Sequence, residues 1–351
     1  MRVAALTSGR NDPSARFRVR QFIEPLHQEG VLVREYVPAI DKHAGMPSKI
    51  VKIMPSPIKY FAESGWRTMK LLSRLQGVVG SWGSDLTWLN RELVFGRYSL
   101  EGALHRPYVF DVDDAIWQAR PDGIRAVARI ARQASVVFAG NQHIANHFSS
   151  LCAQVELIPT AIDTLKFHPR IDESFNRERF VIGWTGSAGN YPYLYRIEHV
   201  LNAFLVSHDA ELLVMAERPP TFTIIPQHKV NYVKWTTLTE SSALREMDVG
   251  LMPLPDTDWA RGKCGFKMLQ YMATGLPVVV SPVGVNNEIL AKANVGFAAR
   301  TDEEWYSALD YLYSNRRSAG EMGEAGRMIV EAGYSCSVVG KRIAKIFHSI
   351  I

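Results

Sequence analysis

KCGFKMLQYMATGLPVVVSPVGVNNE, residues Lys263–Glu288, decides the reading of this chain. Apolar residues recur at helical spacing after Gly265, and Gly275 stops the run, so a helix is predicted between them. Leu276–Val280 then reads as a buried strand followed by a glycine turn. The free N–H groups and the dipole at such a helix start favour an anion. Lys263 and Lys267 add positive charge there, which suits a diphosphate. Gln270 lies three residues beyond Lys267, on the same face. The plainer alternative puts both lysines on a solvated face and makes Gln270 incidental.

Outward from this stretch, short apolar strands alternate with helices. Phe180–Trp184, Glu211–Met215, Val230–Val233, Val249–Met252 and Pro277–Ser281 read as strands. Pro192–Phe204, Glu303–Tyr313, Ala319–Glu331 and Cys336–Ile350 read as helices. The first half repeats the pattern. Its strands are Arg2–Ser8, Val31–Val37, Pro107–Val112, Val136–Ala139 and Val155–Ile158, and its helices include Ser14–Glu29, Ile124–Gln133 and Gln142–Leu151. Such alternation indicates parallel sheets covered on both faces. A break falls near Ile158–Arg179, where prolines and charges replace periodicity. The expected architecture is α/β, with two Rossmann-like doubly wound domains facing a central cleft. The expected division is 1–165, 166–335 and a C-terminal helix 336–351 that crosses back to the first domain. Ligands of such sheets bind beyond the carboxyl ends of the strands.

Composition bounds the rest. The chain has 351 residues, 47% hydrophobic and 21% charged, an ordinary globular balance. No run of about 18 apolar residues suggests a membrane span. MRVAALTS reads as a strand and not as a secretion signal, and Cys152, Cys264 and Cys336 fit neither a disulfide framework nor a zinc site. A reducing cytoplasm is expected. Net charge is +5, unevenly placed: residues 1–170 hold 22 Lys+Arg against 15 Asp+Glu, and residues 171–351 hold 18 against 20. A basic first half attracts phosphorylated molecules, anionic lipid or nucleic acid. No nucleic-acid module accompanies the excess, so nucleic acid is not expected as a partner.

Several side chains could carry chemistry. Gly186 permits close backbone approach after the strand Phe180–Trp184, and Ser187 can donate to a phosphate. Trp235 follows a strand and offers a stacking face for a nucleobase; the alternative is a packed core tryptophan. Arg16, Arg18 and Arg20 alternate near a helix start and could grip a phosphate on an acceptor, or form a solvated basic face. Residues Lys49–Arg74 hold six basic residues and one acidic, interleaved with apolar ones, which suits a segment lying on anionic lipid. A buried helix with a basic outer face fits equally. Asp111, Asp113 and Asp114 form a D-x-D pattern that can hold a divalent ion. They could instead place Asp113 or Asp114 beside an acceptor hydroxyl as an orienting group or base, or cap a helix. His143 and His147 have metal-ligand spacing, but HIANH lacks the glutamate of hydrolytic zinc sites and reads as a solvated face. Cys264 has no base beside it.

Taken together, Lys263–Glu288, IGWTGS at Ile182–Ser187, IPTAID at Ile158–Asp163 and GYS at Gly333–Ser335 make the chain resemble a known family. It is similar to the retaining, nucleotide-sugar-dependent glycosyltransferases of the GT-B fold, family 4 (group 1), in a subgroup carrying K-C-x-F-K-x-L-Q-Y-M-A-x-G-x-P-V-V. The resemblance implies that the second domain binds a nucleoside diphosphate sugar and that the first holds the acceptor. It implies donor contacts from Gly186, Ser187, Trp235, Lys263, Gly265, Phe266, Lys267, Gln270 and Glu288. It implies acceptor contacts from Arg16, Arg18 and Arg20, and catalytic roles for Asp113, Asp114 and Lys267. Relatives carry two glutamates separated by seven residues, the second on the ribose and the first on the sugar. Here those positions are Gln270 and Gly262. An amide can still bond a ribose hydroxyl, whereas Gly262 offers no side chain; Asp256, Asp258 or backbone near Gly265 could replace it.

The expected activity is therefore transfer of a sugar to an acceptor hydroxyl, in cell-surface polysaccharide or glycolipid synthesis. No cofactor and no metal are expected. Expected partners are the nucleotide-sugar donor, a lipid-linked or glycan acceptor, and an anionic membrane surface through 49–74. The expected location is the cytoplasm, peripheral at the inner face of the membrane. Two rival readings keep the fold: an inactive nucleotide-sugar-binding partner subunit, and a nucleotide-sugar epimerase.

Overall fold

The computed structural model describes residues 1–46, 56–170 and 179–351. The chain divides into two compact units, Met1–Thr160 with Val339–Ile351, and Ala161–Val338.

The first unit is built on six strands: β1 (Arg2–Leu6), β2 (Leu32–Tyr36), β3 (Leu86–Asn90), β4 (Tyr108–Val112), β5 (Val136–Ala139) and β6 (Val155–Leu157). Their order is β2-β1-β3-β4-β5-β6, and every pairing is parallel. All residues of β3, β4 and β5 are buried, as a sheet covered on both faces requires. β3 lies at the centre of the sheet yet has no counterpart among the strands expected from sequence. The final helix, Cys336–Ser349, brings Phe347 against Trp88 (5.3 Å between rings) and Phe138 (5.8 Å). The expected helix Ser14–Glu29 is broken instead into Pro13–Arg18, a tight turn Arg20–Phe22, and Ile23–Gln28. Asp12 caps the first piece, accepting from the Ser14 N–H at 2.9 Å.

The second unit has β7 (Phe180–Thr185), β8 (Ala210–Ala216), β9 (Val230–Lys234), β10 (Val249–Met252), β11 (Val278–Val280) and β12 (Gly296–Ala298). Their order is β12-β11-β10-β7-β8-β9, again all parallel. Side chains alternate along β7: Phe180, Ile182 and Trp184 enter one core, and Val181 the other. The expected helix Pro192–Phe204 is two, Tyr191–Tyr195 and Glu198–Ser207.

Each order reverses direction once, between β1 and β3 in the first unit and between β7 and β10 in the second. At these switch points the loops leaving adjacent strands part to opposite sides, and a crevice opens beyond the carboxyl ends.

Candidate functional site

The helix Phe266–Ala273 is seated by its own Tyr271. Gly250 on β10 leaves room for that ring: a methyl group there would lie 2.1 Å from it. The Tyr271 hydroxyl accepts from the Thr185 N–H (2.9 Å) and donates to the Leu251 carbonyl (3.2 Å), tying the helix to both strands of the switch point. Gly265 precedes the helix in the left-handed region (φ 66°), which glycine adopts without strain. The first helical turn is thereby fixed beside the carboxyl end of β7.

Lys267 belongs to that turn. Its Cε lies 2.5 Å from where a methyl group on Gly186 would sit, and its ammonium is 5.6 Å from the Trp184 ring centre. The lysine stem fills space that only a glycine at 186 leaves open. Lys263 lies above Tyr193 (6.0 Å) and Trp259 (5.7 Å). Ser187 is exposed, with its hydroxyl accepting from Asn190 Nδ2 at 2.8 Å. Glu217 holds the next N–H, that of Ala188, at 2.9 Å. Gly186, Ser187, Gly265, Phe266 and Lys267 are thus brought to one edge.

Gln270 is turned inward, only 3% exposed, and its Nε2 donates to Glu240 Oε1 at 3.0 Å. Glu240 is 2% exposed and takes Lys166 Nζ on its other oxygen at 2.9 Å. Sequence reading missed Glu240 and Lys166. Neither stands at a motif spacing, and the pairing spans 30 residues on one side and 74 on the other. Trp235 follows β9 and is 36% exposed, so it is not the packed tryptophan that Trp184 and Trp305 are. Its backbone N–H bonds the carbonyl of Ala216 at the end of β8 (2.8 Å). Glu288 is exposed on the helix Val285–Leu290, past β11. Gly262 caps the short helix Asp258–Arg261. Asp256 and Asp258, both considered as sugar contacts, are engaged by Arg261 at 2.7 and 3.4 Å.

In the first unit none of Arg16, Arg18 and Arg20 lies on an exposed face. Arg18 is fully buried, with Nε on Asp111 Oδ1 (2.9 Å) and Nη1 on the Ile158 carbonyl (2.8 Å). Trp88 Nε1 donates to the other oxygen of Asp111 (3.0 Å). Burial pushes the Asp111 carboxyl up to about 6, with Arg18 pulling the other way. Arg20 is held by Glu35 (2.8 Å) and by the carbonyls of Gly9 and Arg10. Arg16 packs over the Phe17 ring at 4.6 Å. Arg91 adopts φ 58°, a strained value for a side-chain-bearing residue, and holds Asp113 (2.6 Å) and Asp114 (2.7 Å). Burial would raise the Asp113 pKa, but Arg91 overcomes it and holds the carboxyl below its usual range. Each of the three aspartates therefore meets an arginine.

His147 stacks flat on Trp117 (3.8 Å, 2°), and so lies against a ring and not on a solvated face. The three cysteines are buried and none is in a disulfide. Ile58, Phe61, Met69 and Leu72 are exposed on the helix Ser56–Leu72 at spacings that share one face. Residues 49–55 of the basic segment lie outside the described residues. Among the described residues, no helix is long and apolar enough to cross a membrane.

Two parallel six-stranded sheets with covering helices place the chain in the α/β class, with the GT-B fold. Residues 179–315 match the family model described as "Glycosyl transferases group 1". No curated protein matches the sequence. Among solved structures, the chain is similar to sucrose-phosphate synthase from Thermosynechococcus elongatus, with TM-score 0.71 and 13% identity over 99% of this chain and 98% of that one. It is similar to Anabaena HepE in complex with UDP and glucose, with TM-score 0.68 and 13% identity over 99% and 100%. A glycosyltransferase from Rickettsia africae gives TM-score 0.68 and 12% identity over 99% and 98%. The family match and the fold together support a glycosyltransferase.

Proposed function

We propose that this protein is a retaining, metal-independent glycosyltransferase that moves a sugar from a nucleoside diphosphate to an acceptor hydroxyl. The observation that carries the reading is Lys267 laid along Gly186, beside the helix start at Gly265, at the switch point of the second unit. A diphosphate there meets an ammonium and the positive end of a helix dipole together. Charge grows on the diphosphate as the glycosidic bond breaks, and donors already in place stabilise it without reorganising. Trp235 offers a face to the base. Gln270, whose Nε2 donates to Glu240, is assigned to a ribose hydroxyl through its own amide oxygen. HepE, a solved protein of the same fold, holds UDP and glucose, which supports a donor of that class here. The retaining outcome rests on the resemblance of Lys263–Glu288 to the family sequence. Neutralisation of Asp111, Asp113 and Asp114 by Arg18 and Arg91 supports transfer without a divalent ion.

The acceptor belongs to the first unit and is lipid-linked or part of a glycan. The exposed apolar face of Ser56–Leu72, with Arg67 beside it, supports contact with an anionic membrane surface.

A donor screen tests the reading. UDP, GDP and ADP sugars are incubated with the chain and glycan acceptors, with and without EDTA, and release of nucleoside diphosphate is followed. Release from one donor class, unchanged by EDTA, is expected. If no nucleotide sugar binds in calorimetry, the reading fails. Binding without release would favour the partner-subunit reading, which the missing carboxylates at 262 and 270 also suggest.

A further inference from the structure

Gln270 carries an amide, and an amide can turn either end toward a ligand. Here one end is committed. Nε2 donates to Glu240 Oε1 at 3.0 Å, and both residues are buried. A carboxylate oxygen only accepts, so the nitrogen must face Glu240 and the amide oxygen must face away from it. Among the described residues, that oxygen has no hydrogen-bond partner.

Glu240 is itself held in place. Its other oxygen takes Lys166 Nζ at 2.9 Å. Thr236 and Thr239 exchange bonds, each backbone N–H to the other's hydroxyl at 2.9 and 3.0 Å, which fixes the turn that opens the helix Thr239–Arg245. Glu240 stands in the first turn of that helix. Asp163 shapes the loop that carries the lysine, accepting from the N–H groups of Leu165 (3.0 Å) and Lys166 (3.1 Å). Arg327 joins this loop to the helix of Gln270. It reaches the carbonyls of Thr164 (3.0 Å), Phe167 (2.5 Å) and Ala273 (2.6 Å).

Three segments of the second unit, far apart in sequence, thus converge on one amide. Anchoring the helix does not require them. Tyr271 already ties it to Thr185 and Leu251 without any charge. Taking a carboxylate out of water is unfavourable even when a lysine meets it, so a buried Glu240 calls for a reason beyond stability. The direction it imposes on the amide is that reason.

We propose that Glu240 is a positioning residue for the nucleotide. It holds the Gln270 nitrogen and so aims the amide oxygen at the ribose, and Lys166 holds Glu240 in turn. Position 270 then acts only as an acceptor and selects a ribose hydroxyl that donates to it. The proposal rests on the assignment of Gln270 to the ribose made above. Trp235 lies five residues before Glu240. One short segment therefore supplies the face for the base and the brace for the ribose contact.

The test is a preference ratio. UDP, GDP and ADP, each with its 2′-deoxy and 3′-deoxy counterpart, are titrated by calorimetry into the full chain. The same titrations are run on Glu240→Gln, Gln270→Glu and the double exchange Glu240→Gln/Gln270→Glu. In Glu240→Gln the side chain at 240 can offer nitrogen or oxygen, so the amide at 270 is released to turn. In Gln270→Glu two carboxylates meet. The double exchange restores one fixed polarity, because the amide at 240 donates to the carboxylate at 270 and still accepts from Lys166. Expected in the parent is a preference of about tenfold for a ribonucleotide over one deoxy form. It falls to within about twofold in both single variants and returns in the double exchange. The ratio is taken within each protein, so a loss of stability alone does not move it. Glu240→Asp keeps the charge but draws the carboxylate back by one carbon. It lowers the ratio in the same way, and it serves where Glu240→Gln does not fold. An unchanged ratio in the Glu240 variants, or a folded double exchange that does not regain it, overturns the proposal and leaves the donor site standing. A parent that binds nucleotides without any such preference overturns the ribose assignment and the proposal together. A parent that binds none of them overturns the donor reading itself.

Discussion

The carboxyl edges of the two sheets have the same topology and opposite chemistry. At the second unit's edge, Lys267 lies along a glycine and Lys263 lies over aromatic rings. At the first unit's edge, Arg18, Arg91 and Lys42 are each spent on a carboxylate. A positive side chain at a switch point is thus a poor guide by itself. What it touches decides whether it holds the fold or holds a ligand.

Substitutions at the two edges should separate these roles. The largest effect is expected at Arg18. Arg18→Met leaves Asp111 buried without its cation, and breaking such a pair costs about 3–5 kcal/mol. Urea unfolding should show that loss, with nucleotide affinity per folded molecule unchanged. A stable Arg18→Met protein with weakened ligand binding would break the comparison. Lys267→Ala should do the reverse. Its unfolding midpoint stays within error of the parent, while turnover falls about a hundredfold to a thousandfold, as for other preorganised donors to a developing anion. Normal turnover in that variant would remove the phosphate role.

The smallest effect is a slope. In the folded chain Asp111 keeps its proton to about pH 6, whereas an unfolded carboxylate releases it near 3.8. The folded state therefore binds more protons between these values, and this group makes stability fall as pH rises through that window. Asp111→Asn should flatten that component of a stability profile measured by urea unfolding. An unaltered slope would mean that Arg18 keeps Asp111 ionised throughout, which sharpens the contrast between the edges.

Much of the architecture was legible beforehand, because buried parallel strands are short apolar runs. β5 and β10 fall on the residues expected. β3 escaped because LTWLN mixes a threonine and an asparagine into a central strand. There Asn90 is held by Ser14, and Trp88 by Asp111. β12 escaped because three residues carry almost no pattern. The donor edge was partly legible, since Gly186 and Lys267 belong to motifs with local spacing. The partners of Gln270 and Arg18 were not, since Glu240 lies 30 residues from the one and Asp111 lies 93 from the other. Pairing at such range is settled by the fold and leaves no periodic trace.

The last helix carries a consequence for synthesis. Residues 339–351 belong to the first unit, and Phe347 stacks on Phe138 and abuts Trp88 within it. A ribosome delivers all of the second unit before that segment appears. The first unit, begun earliest, therefore waits with part of its core exposed until the second has been made, and chains released before residue 339 would carry a folded second unit and an unfinished first.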